Sequence, residues 1–302
     1  MNEGALCIAI PTRDRPQCLA RLLDSIGRQT KPPDRIVIVD DNREVGQVVI
    51  PRLGAPVDII RGQRRGPARA HQAALELVSR IAGPGAPELM LRLDDDLVLE
   101  SRDFVERLAH VMAERPEVGA VGGVYPPSLK LRRTSCQPAR SRAVAVEWIG
   151  GRGYSLTIEG MLRGEDSAQF HRWDRPRLVE AEHLYSSFMY RREAALAVGG
   201  FATWYSEQAH REETDFTHRL YLAGWTLLVD TGAVARHERC AHGGLRGVAR
   251  DELRRADEAL FVERLGSGAL KAQCGRLGFG QEASSCPTDC APTRSSECAL
   301  AL

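Results

Sequence analysis

Short apolar runs alternating with stretches of helical period constrain this chain most. Residues 5–10, 36–39, 57–60 and 89–93 each have the length and composition of a buried strand. Between them the apolar positions change period. Leu19, Leu22, Leu23 and Ile26 share one helical face, as do Ala74, Leu77, Val78 and Ile81, and later Phe104, Leu108, Val111 and Met112. Residues 118–124 form another strand, laced with glycine. Strands alternating with helices predict an α/β fold, a mainly parallel open sheet with helices on both faces.

Two of these strands end in acids. Residues 36–39 run into Asp40 and Asp41, and residues 89–93 into Asp94, Asp95 and Asp96. Adjacent carboxylates repel, so a fold tolerates three of them best in water or around a cation. Mg²⁺ and Mn²⁺ prefer carboxylate oxygens and bridge nucleotide phosphates. In open α/β sheets ligands gather at the carboxyl ends of the strands, where this triplet falls. A solvated acidic turn capping the next helix is the other reading of the same residues.

After residue 124 the rhythm is lost until about residue 184. The stretch 128–180 is rich in Arg, with Trp148, Tyr154 and Trp173 interspersed, and a long irregular insert of this kind is usually functional or mobile. Trp148, Trp173, Tyr185 and Trp204 are candidates to stack on an acceptor, or to be plain core. Regular structure returns with a strand near 184–190 and helices at 191–198 and 212–223. A strand at 225–230 and a charged helix at 248–265 follow. Beyond Gly266 the composition turns to Gly, Ser, Ala and Cys, which predicts little order.

The net charge of +1 over 302 residues gives no general reason to bind nucleic acid. No apolar segment approaches the ~18–20 residues of a membrane span, and the first residues are too acidic for a signal peptide. A cytoplasmic protein is expected, with peripheral membrane contact still open. Of the eight cysteines, Cys7, Cys18, Cys136 and Cys240 are scattered and read as reduced thiols, while Cys274, Cys286, Cys290 and Cys298 crowd the tail.

The features stand in a telling order: a strand with Asp40 and Asp41, a Gly/Arg loop at 61–67, and a strand with Asp94, Asp95 and Asp96. Then come Arg191-Arg192-Glu193-Ala194 through Gly199-Gly200-Phe201, and Glu212-Glu213-Thr214-Asp215-Phe216. This resembles the family 2 glycosyltransferases of GT-A fold over roughly residues 5–240. The resemblance implies an inverting transfer of a sugar from a UDP-, GDP- or dTDP-type donor, assisted by Mn²⁺ or Mg²⁺. The acceptor is left open among glycans, lipid-linked molecules, natural products and peptides.

The same resemblance implies roles for individual residues. Asp96 binds the metal, with His237 as a further ligand. Asp94 contacts ribose or a metal-bound water, and Asp95 is mainly structural. Asp40, favoured over Asp41, accepts a hydrogen bond from the nucleobase beside Pro11 and Arg13. Arg65 and Arg69 neutralise phosphate, and Glu213 is the general base. Residues 1–247 would form the catalytic domain, with a nucleotide-binding half at 1–125 and an acceptor-binding half at 126–247. The helix 248–266 and a tail 267–302 follow. The loop Pro11-Thr12-Arg13-Asp14-Arg15-Pro16 has no glycine, which speaks against a sugar-nucleotide pyrophosphorylase and against a dinucleotide-dependent dehydrogenase. A sugar-nucleotide binding module without turnover is the non-catalytic alternative.

Overall fold

The computed structural model describes residues 4–270, apart from 45, 47, 125–155, 164–175, 239, 241 and 242. Trp148, Tyr154, Trp173, Cys136 and the four tail cysteines therefore lie outside the described residues. The strands are β1 (Leu6–Thr12), β2 (Arg35–Asp40), β3 (Val57–Arg61), β4 (Leu89–Arg92), β5 (Leu97–Leu99), β6 (Val118–Val124), β7 (Leu178–Glu180), β8 (Phe188–Arg191) and β9 (Thr226–His237). The helices are α1 (Pro16–Gly27), α2 (Pro67–Ser79), α3 (Phe104–Glu114), α4 (Ile158–Arg163), α5 (Arg192–Ala197), α6 (Glu212–Leu222) and α7 (Gly247–Gly266).

One sheet runs β3-β2-β1-β4-β8-β6-β9-β5, with β7 beside β9. The pairings set β1, β2, β3, β4, β6 and β9 in one direction, with β5, β7 and β8 against them. This is the expected mostly parallel open sheet. Side chains on a strand alternate faces, and β1 shows it. Leu6, Ile8 and Ile10 pack with Leu19, Leu22, Leu23 and Ile26 of α1 and with α3. Cys7 and Ala9 pack on the opposite side with Ala74, Leu75 and Val78 of α2 and Phe216 and Leu220 of α6. On α2 it is Leu75 that is fully buried, with Leu77 only partly so.

Asp14 stands just before α1 without capping it. Its backbone is left-handed (φ 56°), Arg15 holds the N-cap position, and its carboxylate accepts from the Arg43 backbone N–H. Ser101 does not cap α3 either, and instead bridges to Gly232 and Val234 of β9. Cys18 and Cys240 are joined by a disulfide across 222 residues, so they are not separate thiols. Just past Gly266, Leu270 is buried with Phe261, Met161 and Ile158, and the rest of the tail lies outside the described residues.

The helix α7 is more than a charged surface helix. Asp257 is buried and accepts from the Ser206 N–H at 2.8 Å, the Ser206 hydroxyl at 2.7 Å and the His210 N–H at 2.9 Å. Glu258 takes the Arg211 guanidinium at 2.7 and 3.1 Å and lies 2.9 Å from the His210 ring. The hydrogen bonds from His210 and Arg211 hold the Glu258 carboxyl down to about 2 despite partial burial. Two adjacent acids thus pin the loop 205–211, which leads directly into α6.

Candidate active site

The carboxyl ends of β1 and β4, the loop 205–211 and the segment after β9 enclose a cleft of about 610 Å³. Its size suits a small-molecule ligand. Pro11, Arg13, Asp94, Asp95, Asp96, Glu213 and His237 all line it, so most of the residues singled out from the sequence converge.

The short strand β5 explains how His237 reaches the triplet. β5 starts immediately after Asp96 and pairs antiparallel with the end of β9, which sets Leu97 opposite His237. The Glu238 N–H then donates to the Asp96 carbonyl at 2.7 Å. His237 Nε2 lies 3.4 Å from Asp96 Oδ1. Two donor atoms at that separation can face one cation held at ~2.0–2.2 Å from each. Asp94 is about a quarter exposed on the same cleft. Among the described residues no three such side chains form a complete metal cage. A cation that arrives with a nucleotide usually takes one or two carboxylates and completes its shell with phosphate and water. The donor set fits Mn²⁺ or Mg²⁺ on those terms.

Arg15 is the main residue the sequence did not single out. Its Nη1 lies 2.7 Å from Asp96 Oδ2 and 3.1 Å from Asp95 Oδ1. Asp95 also accepts from the Thr12 hydroxyl at 2.9 Å. Burial pushes the Asp95 carboxyl up to about 7, with Arg15 working against the shift. Burial raises Asp96 as well, opposed by His237 and Arg15. Asp95 is thus tied into the floor of the cleft by Thr12 and Arg15.

At the end of β2 the structure separates two neighbours. The Asp40 carboxylate accepts from the Asn42 N–H at 2.9 Å and faces Arg61 at 3.5 Å, away from the cleft. Asp41 lines the cleft and accepts from the Arg64 N–H at 2.7 Å. Space for it exists because residue 62 is glycine: a Cβ there would fall 2.0 Å from Asp41 Oδ1. Gly66, at φ 95°, lets the next turn approach the Glu207 backbone, where a Cβ would lie 2.7 Å from the carbonyl oxygen. Arg13 reaches across to Glu207 at 2.7 Å. The loop 205–211 therefore meets the loops after β1 and β3 at two points.

Arg65 is exposed and Arg69 half-buried, and neither lines the cleft. Arg246 and Arg250, at the start of α7, do. Arg246 donates to the Gly243 carbonyl and to that of Cys240, which the disulfide ties to α1.

The three acids opening α6 have different surroundings. Glu212 is fully buried against Arg92. Asp215 is fully buried between Arg219, at 2.7 Å, and the Tyr205 hydroxyl, at 3.1 Å. Glu213 lines the cleft, and its carboxylate makes no hydrogen bond or ion pair among the described residues. Tyr185 and Trp204 do not line the cleft; Trp204 lies under the Arg264 guanidinium at 4.1 Å. Among the described residues no helix is long and apolar enough to cross a membrane.

Comparison with known proteins agrees with this geometry. No curated protein matches the chain. Among solved structures, the mannosyltransferase PcManGT from Pyrobaculum calidifontis, in complex with GDP-Man and Mn²⁺, is similar at 16% identity and a TM-score of 0.52. The match covers 91% of this chain and 74% of that one. GalNAc-T7 with UDP, GalNAc and Mn²⁺ is similar at 12% identity and a TM-score of 0.57, over 91% of this chain and 55% of that one. A mycobacterial protein is similar at 14% identity and a TM-score of 0.51, over 87% of this chain and 75% of that one. At such identities the likeness is one of fold. The sequence profile of Glycosyl transferase family 2 matches residues 7–196, more than half of the chain and all of the sheet from β1 to β8. The chain belongs to glycosyl transferase family 2, and it is a glycosyltransferase.

Proposed function

We propose that the protein transfers a sugar from a nucleotide diphosphate to an acceptor hydroxyl in a single inverting displacement. The observation that carries this reading is the convergence of the acid triplet, His237 and Glu213 on one cleft. Asp96 and His237 would hold Mn²⁺ or Mg²⁺, with Asp94 beside them. A bound divalent cation supplies charge stabilisation for the departing diphosphate. Pro11, Arg13 and Asp41 form the nucleobase end, Asp41 taking the role first expected of Asp40. Arg246 and Arg250 are better placed for phosphate than Arg65 and Arg69. Glu213 removes the acceptor proton as the hydroxyl attacks. The donor is of GDP, UDP or dTDP type. GDP-Man and UDP with GalNAc, the ligands of two proteins of similar fold, are the first to try.

A thermal-shift panel of GDP-, UDP- and dTDP-sugars, with Mn²⁺ or with chelator, tests the donor. One class should stabilise the protein only with the cation, by ~2.7 kcal/mol at a hundredfold excess over Kd. The same donor should be hydrolysed slowly when no acceptor is supplied. If no sugar nucleotide gives cation-dependent stabilisation, the proposed donor chemistry is wrong. Stabilisation without any turnover would identify a binding module instead.

The base pocket has its own test. Gly62→Ala leaves the sheet intact but displaces the Asp41 carboxylate, because the new Cβ falls 2.0 Å from its oxygen. Calorimetric Kd for the preferred nucleoside diphosphate should rise about tenfold, the worth of one hydrogen bond. An unchanged Kd would remove Asp41 from the nucleobase site.

A further inference from the structure

Arg92 closes β4 and is among the largest fully buried side chains of the protein. Its guanidinium serves three segments at once. Nη1 donates to the Ser186 carbonyl at 2.7 Å, in the loop before β8. The same nitrogen lies 3.3 Å from Asp94 Oδ1, in the triplet. Nη2 pairs with Glu212, the first residue of α6, whose side chain is also fully buried. The pair sits over the Phe188 ring, 5.7 Å from the guanidinium carbon. Among the described residues Arg92 Nε and Glu212 Oε2 have no hydrogen-bond partner.

Burying two full charges is a poor way to stabilise a core. Desolvation commonly consumes the attraction, and an apolar pair of similar volume holds a fold as well or better. The placement points elsewhere. Asp94 is two residues beyond Arg92, and Glu213 is one residue beyond Glu212. The ion pair is therefore the direct tie between the strand that presents the acids and the helix that presents the proposed base.

We propose that Arg92 and Glu212 are positioning residues: their buried pair sets where Glu213 stands relative to Asp94, and so relative to the sugar between them. This rests on the reading of Glu213 as the base. A guanidinium fork suits the task because one rigid plane meets several acceptors, which an ammonium does not.

The test separates holding the fold from holding the geometry. Arg92→Met combined with Glu212→Leu replaces the pair with apolar side chains. The double variant should melt close to wild type and bind GDP or UDP with Mn²⁺ as wild type does. Its kcat for hydrolysis of GDP-mannose or UDP-N-acetylgalactosamine, whichever the wild type accepts, should fall by ~10²-fold with KM little changed, as for a small misplacement of a reacting group. A folded double variant with wild-type kcat overturns the proposal. Should the double variant not fold, Arg92→Lys keeps the charge but not the fork. It should show the same loss in kcat with KM retained, and a lysine variant with wild-type kcat also overturns it. A crystal structure of whichever variant folds gives a readout independent of turnover. Glu213 displaced relative to Asp94 supports the proposal, and an unmoved Glu213 refutes it. A wild type that hydrolyses no sugar nucleotide counts against the proposed reaction, while the displacement of Glu213 still decides the structural tie.

Discussion

Glu213→Gln should lower kcat by ~10²–10⁴-fold, the usual worth of a general base, and leave the Kd for donor and Mn²⁺ unchanged. The acceptor hydroxyl must lose its proton as it attacks the anomeric carbon, and the acceptor of that proton must lie on the cleft and be free to take it. Of the acids that open α6, Glu212 is committed to Arg92, and Asp215 to Arg219 and Tyr205. Glu213 alone of the three lines the cleft without such a commitment. Glutamine keeps its volume and removes its basicity, so binding survives and chemistry does not. Near-normal turnover in Glu213→Gln, measured beside Asp215→Asn, would reassign the base.

Asp96→Ala should abolish cation-dependent nucleotide binding and cost ~10³-fold or more in turnover, since a bound cation supplies several kcal/mol at a departing diphosphate. Asp96 is nearly buried and already faces two cationic or metal-binding groups, Arg15 and His237. Asp96→Ala removes the carboxylate that lies 3.4 Å from His237 and would hold a divalent ion with it. Arg15 still binds Asp95, so the floor of the cleft persists and the protein should fold. Calorimetry of UDP or GDP with and without Mn²⁺ checks this. A folded variant whose binding still depends on Mn²⁺ would place the cation elsewhere.

Much of this architecture is legible in the sequence because the physics is local. The apolar runs of β1, β2 and β4 and the periodic faces of α1 and α3 dictate their own burial. The acids at the strand ends follow from where those strands stop. What escapes is set by long-range pairing. β5 has three residues and only the pairing with β9 defines it, yet that pairing carries His237 to Asp96. Asp40 and Asp41 are adjacent at a strand end, where successive side chains face opposite ways. Sequence alone does not say which faces the ligand. Arg15 meets its partners about eighty residues away, and Cys18 meets Cys240 across most of the chain, so their spacing carries no signal. Asp257 and Glu258 look like a solvated helix face, because nothing local marks the loop they secure.

That last attachment bears on the order in which the chain folds. Glu213 follows a loop held by Asp257 and Glu258, and these lie some forty-five residues further along the chain. During synthesis the N-terminal strands can fold first, domains forming from the N-terminus as they emerge. The loop 205–211 gains the hydrogen bonds of Asp257 and Glu258 only when α7 is made. The loop ahead of Glu213 thus takes its full set of hydrogen bonds only after the whole sheet has been made.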